Sequence, residues 1–125
     1  MQTGQFGDAT DYHLFVVVTG PLGENDELLI VNFASIYAGI SYDDACVVTP
    51  GEHPFIRHDS YIKYDKARIV ASEKLQNGAR ANILIPKEST PEPLFNRICN
   101  GFRTSMYVSP RVRRFFEEDQ AAAAG

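Results

Sequence analysis

No stretch of this 125-residue chain is apolar for long enough to cross a membrane as a helix. The longest apolar run, Leu14-Phe-Val-Val-Val18, is the size of a strand, against the ~20 residues a spanning helix needs. The opening residues, MQTGQFGDATDYH, hold neither a positive segment nor an apolar core of signal type, so the expected compartment is the cytoplasm. Cysteine is scarce. Cys46 and Cys99 are far apart and in no metal-type spacing, so a disulfide framework and a thiolate metal cluster are not expected, and both read as buried thiols. There is no glycine-rich phosphate loop, no serine elbow and no dinucleotide fingerprint, which removes the common nucleotide-dependent and hydrolase signatures. Basic residues are almost missing from the first sixty positions, where nine acids meet only Arg57.

The balance then reverses. Residues 61–116 carry eleven Lys or Arg against four acids, and Glu117, Glu118 and Asp119 restore a net charge of −4. A fold that keeps these halves apart has a surface able to attract a polyanion; one that interleaves them has no such patch. The apolar share, 44%, suits a single soluble domain over residues 1–120 with one core, and the AAAAG tail at 121–125 is expected to be disordered.

The order of elements follows from periodicity. His13 to Thr19 reads as a buried strand closed by Gly20-Pro21, and Leu28 to Ala34 as its returning antiparallel partner. Ser35 to Asp44 reads as a loop with one short turn, and Ala45 to Thr49 as a short strand. Ser60 to Val70 alternates, with Ile62 and Tyr64 on one face and Lys63 and Asp65 on the other. Asn77-Gly78 predicts a tight turn into a strand over Arg80 to Ile85. Ser89-Thr-Pro-Glu92 has capping-box spacing ahead of a helix striped by Leu94, Ile98 and Phe102, which Gly101 is expected to end. Ser109-Pro110 opens a second helix with Val112, Phe115 and Phe116 on one face. Strands followed by terminal helices predict a mainly β fold, a small antiparallel barrel or curled sheet with two short C-terminal helices packed on it.

Several of these segments carry a resemblance. Gly4-Gln5-Phe6, the strand Leu14 to Thr19, the strand Leu29 to Ser35, and Ser60-Tyr-Ile-Lys-Tyr-Asp-Lys-Ala-Arg68-Ile-Val70 closing at Leu75 are arranged as in a divergent member of the MazF/PemK family of toxin endoribonucleases. The chain resembles that family over about residues 4–85. The resemblance implies an SH3-like barrel, cleavage of single-stranded RNA, a homodimer and an antitoxin-like protein partner. It departs from the family at two points: His13-Leu14 stands where the family has its catalytic Arg-Pro, and Ala34 stands at its catalytic threonine, leaving the Ser35 hydroxyl next to it.

The nineteen residues Gly51 to Ile69, GEHPFIRHDSYIKYDKARI, concentrate two of the three histidines, two arginines and two tyrosines. Cleavage of RNA without metal or cofactor needs a base for the 2′-hydroxyl, an acid for the leaving oxygen and positive charge at phosphorus. His13 and His53 are the candidate acid–base pair, with Arg57 to stabilise the phosphate and Ser35 to hydrogen-bond it. His58, Ser60, Tyr61, Tyr64 and Arg68 are the candidates for holding the nucleic acid, the tyrosines by stacking. At least one of Tyr61 and Tyr64 should be core, and His53, ahead of Pro54 in a turn, reads first as a solvated turn residue. His53-x4-His58 lacks the spacing of a zinc helix, so no metal site is expected. The rival from another class is a barrel without catalysis that binds RNA or a protein partner. The two readings differ over whether His13 and His53 meet in one cleft.

Overall fold

The computed structural model describes residues 3–8, 11–80, 84–87 and 90–124, with side chains over 14–78 and 90–123. Strands β1 (Thr3–Asp8), β2 (Asp11–Val17), β3 (Glu27–Ser35), β4 (Val47–Val48) and β5 (Ser60–Ala71) lead into helix α1 (Ser72–Arg80). Strand β6 (Leu84–Lys87) and helices α2 (Glu92–Thr104) and α3 (Pro110–Ala124) follow. One curled sheet runs in the order β4-β5-β3-β2-β1-β6, and every pairing is antiparallel. Helices hold nearly as many residues as strands, so the fold is a sheet-and-helix layer structure more than a mainly β one.

The run Leu14 to Val18 does not alternate because its sheet is buried on both faces. Leu14, Val16 and Val18 join Leu29, Val31, Phe33, Ile62 and Tyr64 in the main core, roofed by Leu94, Ile98 and Phe102 of α2 and by Val112 and Phe116 of α3. Phe15, Val17 and Ile30 face the other way and meet Leu28, Val70 and Leu75, the last of these from α1. The period-two reading of Ile62 and Tyr64 and the stripe on α2 both hold, since all five side chains are buried.

Several local expectations are corrected. Asn77-Gly78 is no hairpin turn; it lies inside α1, where docking of Leu75 on the small core outweighs the turn preference of two residues. Of the strand expected over Arg80 to Ile85, Arg80 ends α1, residues 81–83 lie outside the described residues, and β6 begins at Leu84. Gly101 does not end α2, which runs on to Thr104 and is closed by Ser105 in extended conformation. The cap of α2 is Pro91 with no side-chain bond, so the capping box does not form there, and Ser89 lies outside the described residues. At α3 the sequence reading holds: Ser109 Oγ accepts from the Val112 amide at 3.2 Å. The alanine run expected to fray continues α3 as far as Ala124. Among the described residues no helix is long and apolar enough to cross a membrane.

Candidate nucleic-acid interface

The face that carries the small core is only partly covered. Residues directly opposite in a ladder share a face. The pairs Ile30 with Arg68, Asn32 with Lys63 and Ala34 with Tyr61 therefore carry the surface of Ile30 onward, beyond α1, and it becomes the floor of an open cleft of about 830 Å³.

A β-bulge determines what lines that floor. Between the pairs Ile30–Arg68 and Asn32–Lys63, β3 advances by two residues and β5 by five. The excess is odd, so the alternation along β5 changes phase and Lys66 and Arg68 join Lys63 on the cleft side. Without the bulge, Lys63 would share its face with Asp65 and Ala67. Asp65 instead reaches back to Lys63 at 3.9 Å from an exposed position outside the cleft lining.

The cleft walls come from two loops. The strap 36–46 contributes Tyr37, Ile40, Ser41 and Tyr42, and the connection from β4 to β5 contributes Phe55, Ile56, Arg57 and His58. Arg57, Lys63, Lys66 and Arg68 line it, and among the described residues no Asp or Glu does. The two charge halves of the sequence are therefore not interleaved here. Arg68 is half-buried, and burial pushes its guanidinium down from its ordinary value; Nη1 donates to Asn32 Oδ1 and to the Lys66 carbonyl, both at 3.4 Å. A partly desolvated cation of this kind gains more from an incoming phosphate than a solvated one.

At the other end, His58 Nε2 lies 2.9 Å from Ser35 Oγ, and both groups open to solvent. The Ser60 hydroxyl donates to the His58 carbonyl at 2.8 Å. Ser60 lines the cleft, but its proton is used to hold the backbone of the histidine. Of the residues singled out by sequence, Ser35, Arg57, His58, Ser60, Tyr61 and Arg68 come together in the cleft.

Two candidates do not, and the side chain of a third is not described. His53 is buried, flanked by Phe33 and Phe55 with ring centroids 5.7 and 5.9 Å away, and is absent from the cleft lining. Its Nδ1 accepts from the Phe55 amide at 3.1 Å, which makes it a pin for the turn, neither solvated nor poised for catalysis. Tyr64 faces the main core and donates its hydroxyl to the Ile98 carbonyl at 2.7 Å, so it cannot stack a base. His13 sits in β2 opposite Phe6, and its side chain lies outside the described residues.

The loop carrying Arg57 and His58 is held from behind. Arg97 of α2 pairs with Glu52 and also donates to the Val47 carbonyl, while Glu52 Oε2 accepts from the Thr49 amide and hydroxyl. Burial pushes the Glu52 carboxyl up, but these bonds and the arginine outweigh it and hold it below its ordinary value. Periodicity could not reveal this clamp, whose partners are 45 residues apart. Nor did it single out Tyr37, Tyr42, Lys63 and Lys66, which also line the cleft. The tyrosines had one signal: two aromatics in a segment, SIYAGISYDD, that has no core periodicity to bury them. Compared with family models, curated proteins and solved structures, the chain matches none.

Proposed function

We propose that this protein binds single-stranded RNA in the cleft between the strap 36–46, the β4–β5 loop and the bulged strand β5. The observation that carries the reading is the lining itself: four cationic side chains, three tyrosines and no acid among the described residues, on a chain whose net charge is −4. Cations that track a backbone, combined with aromatic surface for bases, are the means by which single strands are held. A duplex presents few unstacked bases to such a surface. From Ser35 to Asn32 the floor extends for roughly 10 Å at a strand rise of about 3.4 Å per residue, and Lys66 and Arg68 carry it further along β5, room for a few nucleotides.

The second reading, cleavage of the bound strand, is favoured by the Ser35–His58 contact at one end of the cleft. Here His58 takes the proton of a ribose 2′-hydroxyl, the 2′-oxygen attacks phosphorus, and the 5′-oxygen leaves with a proton returned by the imidazolium. Arg57 and Ser35 stabilise the charge on the phosphorane. The cleavage reading keeps the resemblance of the sequence to the MazF/PemK toxins, carried by the strands Leu14 to Thr19, Leu29 to Ser35 and Ser60 to Val70. In this chain the acid–base role would have passed to a histidine from the β4–β5 loop.

The test is a titration of labelled single-stranded RNA, followed by electrophoresis of the same RNA with and without EDTA. Binding with cleavage that survives EDTA and is lost in folded Ser35→Ala and His58→Ala variants supports both readings. Binding without cleavage leaves a non-catalytic RNA-binding module, and absence of binding by folded protein rejects the proposal.

A further inference from the structure

The three tyrosines of the cleft are not equivalent. Tyr61 is occupied: its ring centroid lies 5.4 Å from that of Tyr42, tilted by 39°, and Lys63 Nζ lies 6.0 Å from its centroid. A base held between the two rings would need them roughly 7 Å apart, two carbon contacts of about 3.5 Å each. The pair therefore has no slot for a base. Tyr42 is 42% exposed, and Tyr61 is its only ring neighbour among the described residues.

Tyr42 is also held in place by its neighbour. Asp43 accepts from the Ala45 amide at 3.0 Å through Oδ1 and from the Ser105 hydroxyl at 2.6 Å through Oδ2. The second bond ties the strap to the end of α2, where Arg113 in turn donates to the Ser105 carbonyl at 2.7 Å. An aromatic ring with two side-chain torsions, on a strap fixed at the next residue, loses little freedom when a partner stacks on it.

The position of the ring in the cleft has a direct consequence. Tyr61 pairs with Ala34, one step in from the Ser35–Ser60 pair beside His58, and two steps before Lys63 pairs with Asn32. The Tyr42–Tyr61 pair therefore lies between Arg57 and His58 at one end and Lys63, Lys66 and Arg68 at the other. We infer that Tyr42 is a base-stacking platform: one nucleobase lies on its exposed face, backed by Tyr61, with the two phosphates flanking that nucleotide held by the two cationic ends. The inference rests on the single-stranded RNA reading and identifies Tyr42, not Tyr61, as the residue that meets the base.

The experiment is a pair of titrations on wild type and on Tyr42→Ala, Tyr42→Phe and Tyr61→Ala variants, one with a short oligouridylate and one with inorganic polyphosphate. Polyphosphate has the charge of the backbone and no bases. Tyr42→Ala should weaken oligouridylate binding by roughly tenfold, in the range one stacked base contributes, and leave polyphosphate binding unchanged. Tyr42→Phe, which keeps the ring, should bind both like wild type. If Tyr42→Ala binds oligouridylate as wild type does, or loses both probes equally, the platform is overturned while the RNA reading stands. A selective loss of oligouridylate binding in Tyr61→Ala alone overturns it in the same way. If wild type binds neither probe, the RNA reading falls, and the platform with it.

Discussion

The ring of Tyr64 lies so close to Gly101 that a methyl group there would stand 1.8 Å from the tyrosine oxygen, the same oxygen that donates to the Ile98 carbonyl at 2.7 Å. This contact seats α2 on β5. A glycine inside a helix costs about 1 kcal/mol relative to alanine, and here that cost permits a close approach of α2 to Tyr64. Gly101→Ala should nonetheless destabilise the protein by about 2 kcal/mol, because the buried ring must move and its hydrogen bond break. Urea unfolding measures it. The loss should shrink in a Tyr64→Phe background, and an unchanged or raised midpoint for Gly101→Ala alone would show that α2 does not need the close approach.

Glu52 provides a pH-dependent contribution with a definite sign. Its carboxyl titrates lower in the folded chain than in the unfolded one, so the stabilisation is complete above the unfolded carboxylate range and is lost as pH falls through the folded value. Glu52→Gln should therefore lower stability at neutral pH by about 1 kcal/mol or less, since the pair with Arg97 is partly exposed. The gap between wild type and variant should close in acid. Urea midpoints at neutral pH and in acid decide the matter, and a gap that widens in acid counts against the clamp.

Both cysteines are free thiols, and burial pushes each up to about 11. The thiolate is the reactive form, so both should react slowly with a disulfide reagent at mildly alkaline pH and rapidly once the chain is unfolded. Cys46, buried in the main core, should lag behind the half-buried Cys99. Mass spectrometry of timed labelling gives the order directly.

Four cations in one cleft limit the salt dependence of RNA binding. If all four meet phosphates, the logarithm of affinity should fall with the logarithm of salt at a slope of roughly −3, about −0.7 for each phosphate neutralised on a single strand. Lys66→Ala should make the slope shallower by about 0.7 without regard to RNA sequence. A slope unchanged by Lys66→Ala would mean that the bulge does not present this lysine to the backbone.

Much of the framework was legible in local pattern. The β-branched runs gave β2 and β3 their partnership, Ile62 and Tyr64 gave the buried side of β5, and Leu94, Ile98 and Phe102 gave the buried side of α2. Each is a relation between residues a few positions apart, and the backbone repeats that create it are the same in any protein. The family resemblance rests on the same strands. Ser35, Arg57, His58, Ser60, Tyr61 and Arg68 stood out by residue type, and the fold brings these six into one cleft.

The remainder depended on contacts between distant segments. Asn77-Gly78 has the chemistry of a turn, yet Leu75 finds a partner surface on the sheet and the helix forms around it. Gly101 has the chemistry of a helix end, yet Tyr64, 37 residues earlier in the chain, needs the space a Cβ would fill. His53 and His58 stand five residues apart in the same polar stretch, and packing buries the first between two phenylalanines and leaves the second in the cleft. The cationic floor itself exists because an odd number of extra residues in β5 reverses its alternation. A bulge is a mismatch between two strands, and one strand's own sequence carries no record of the other's length.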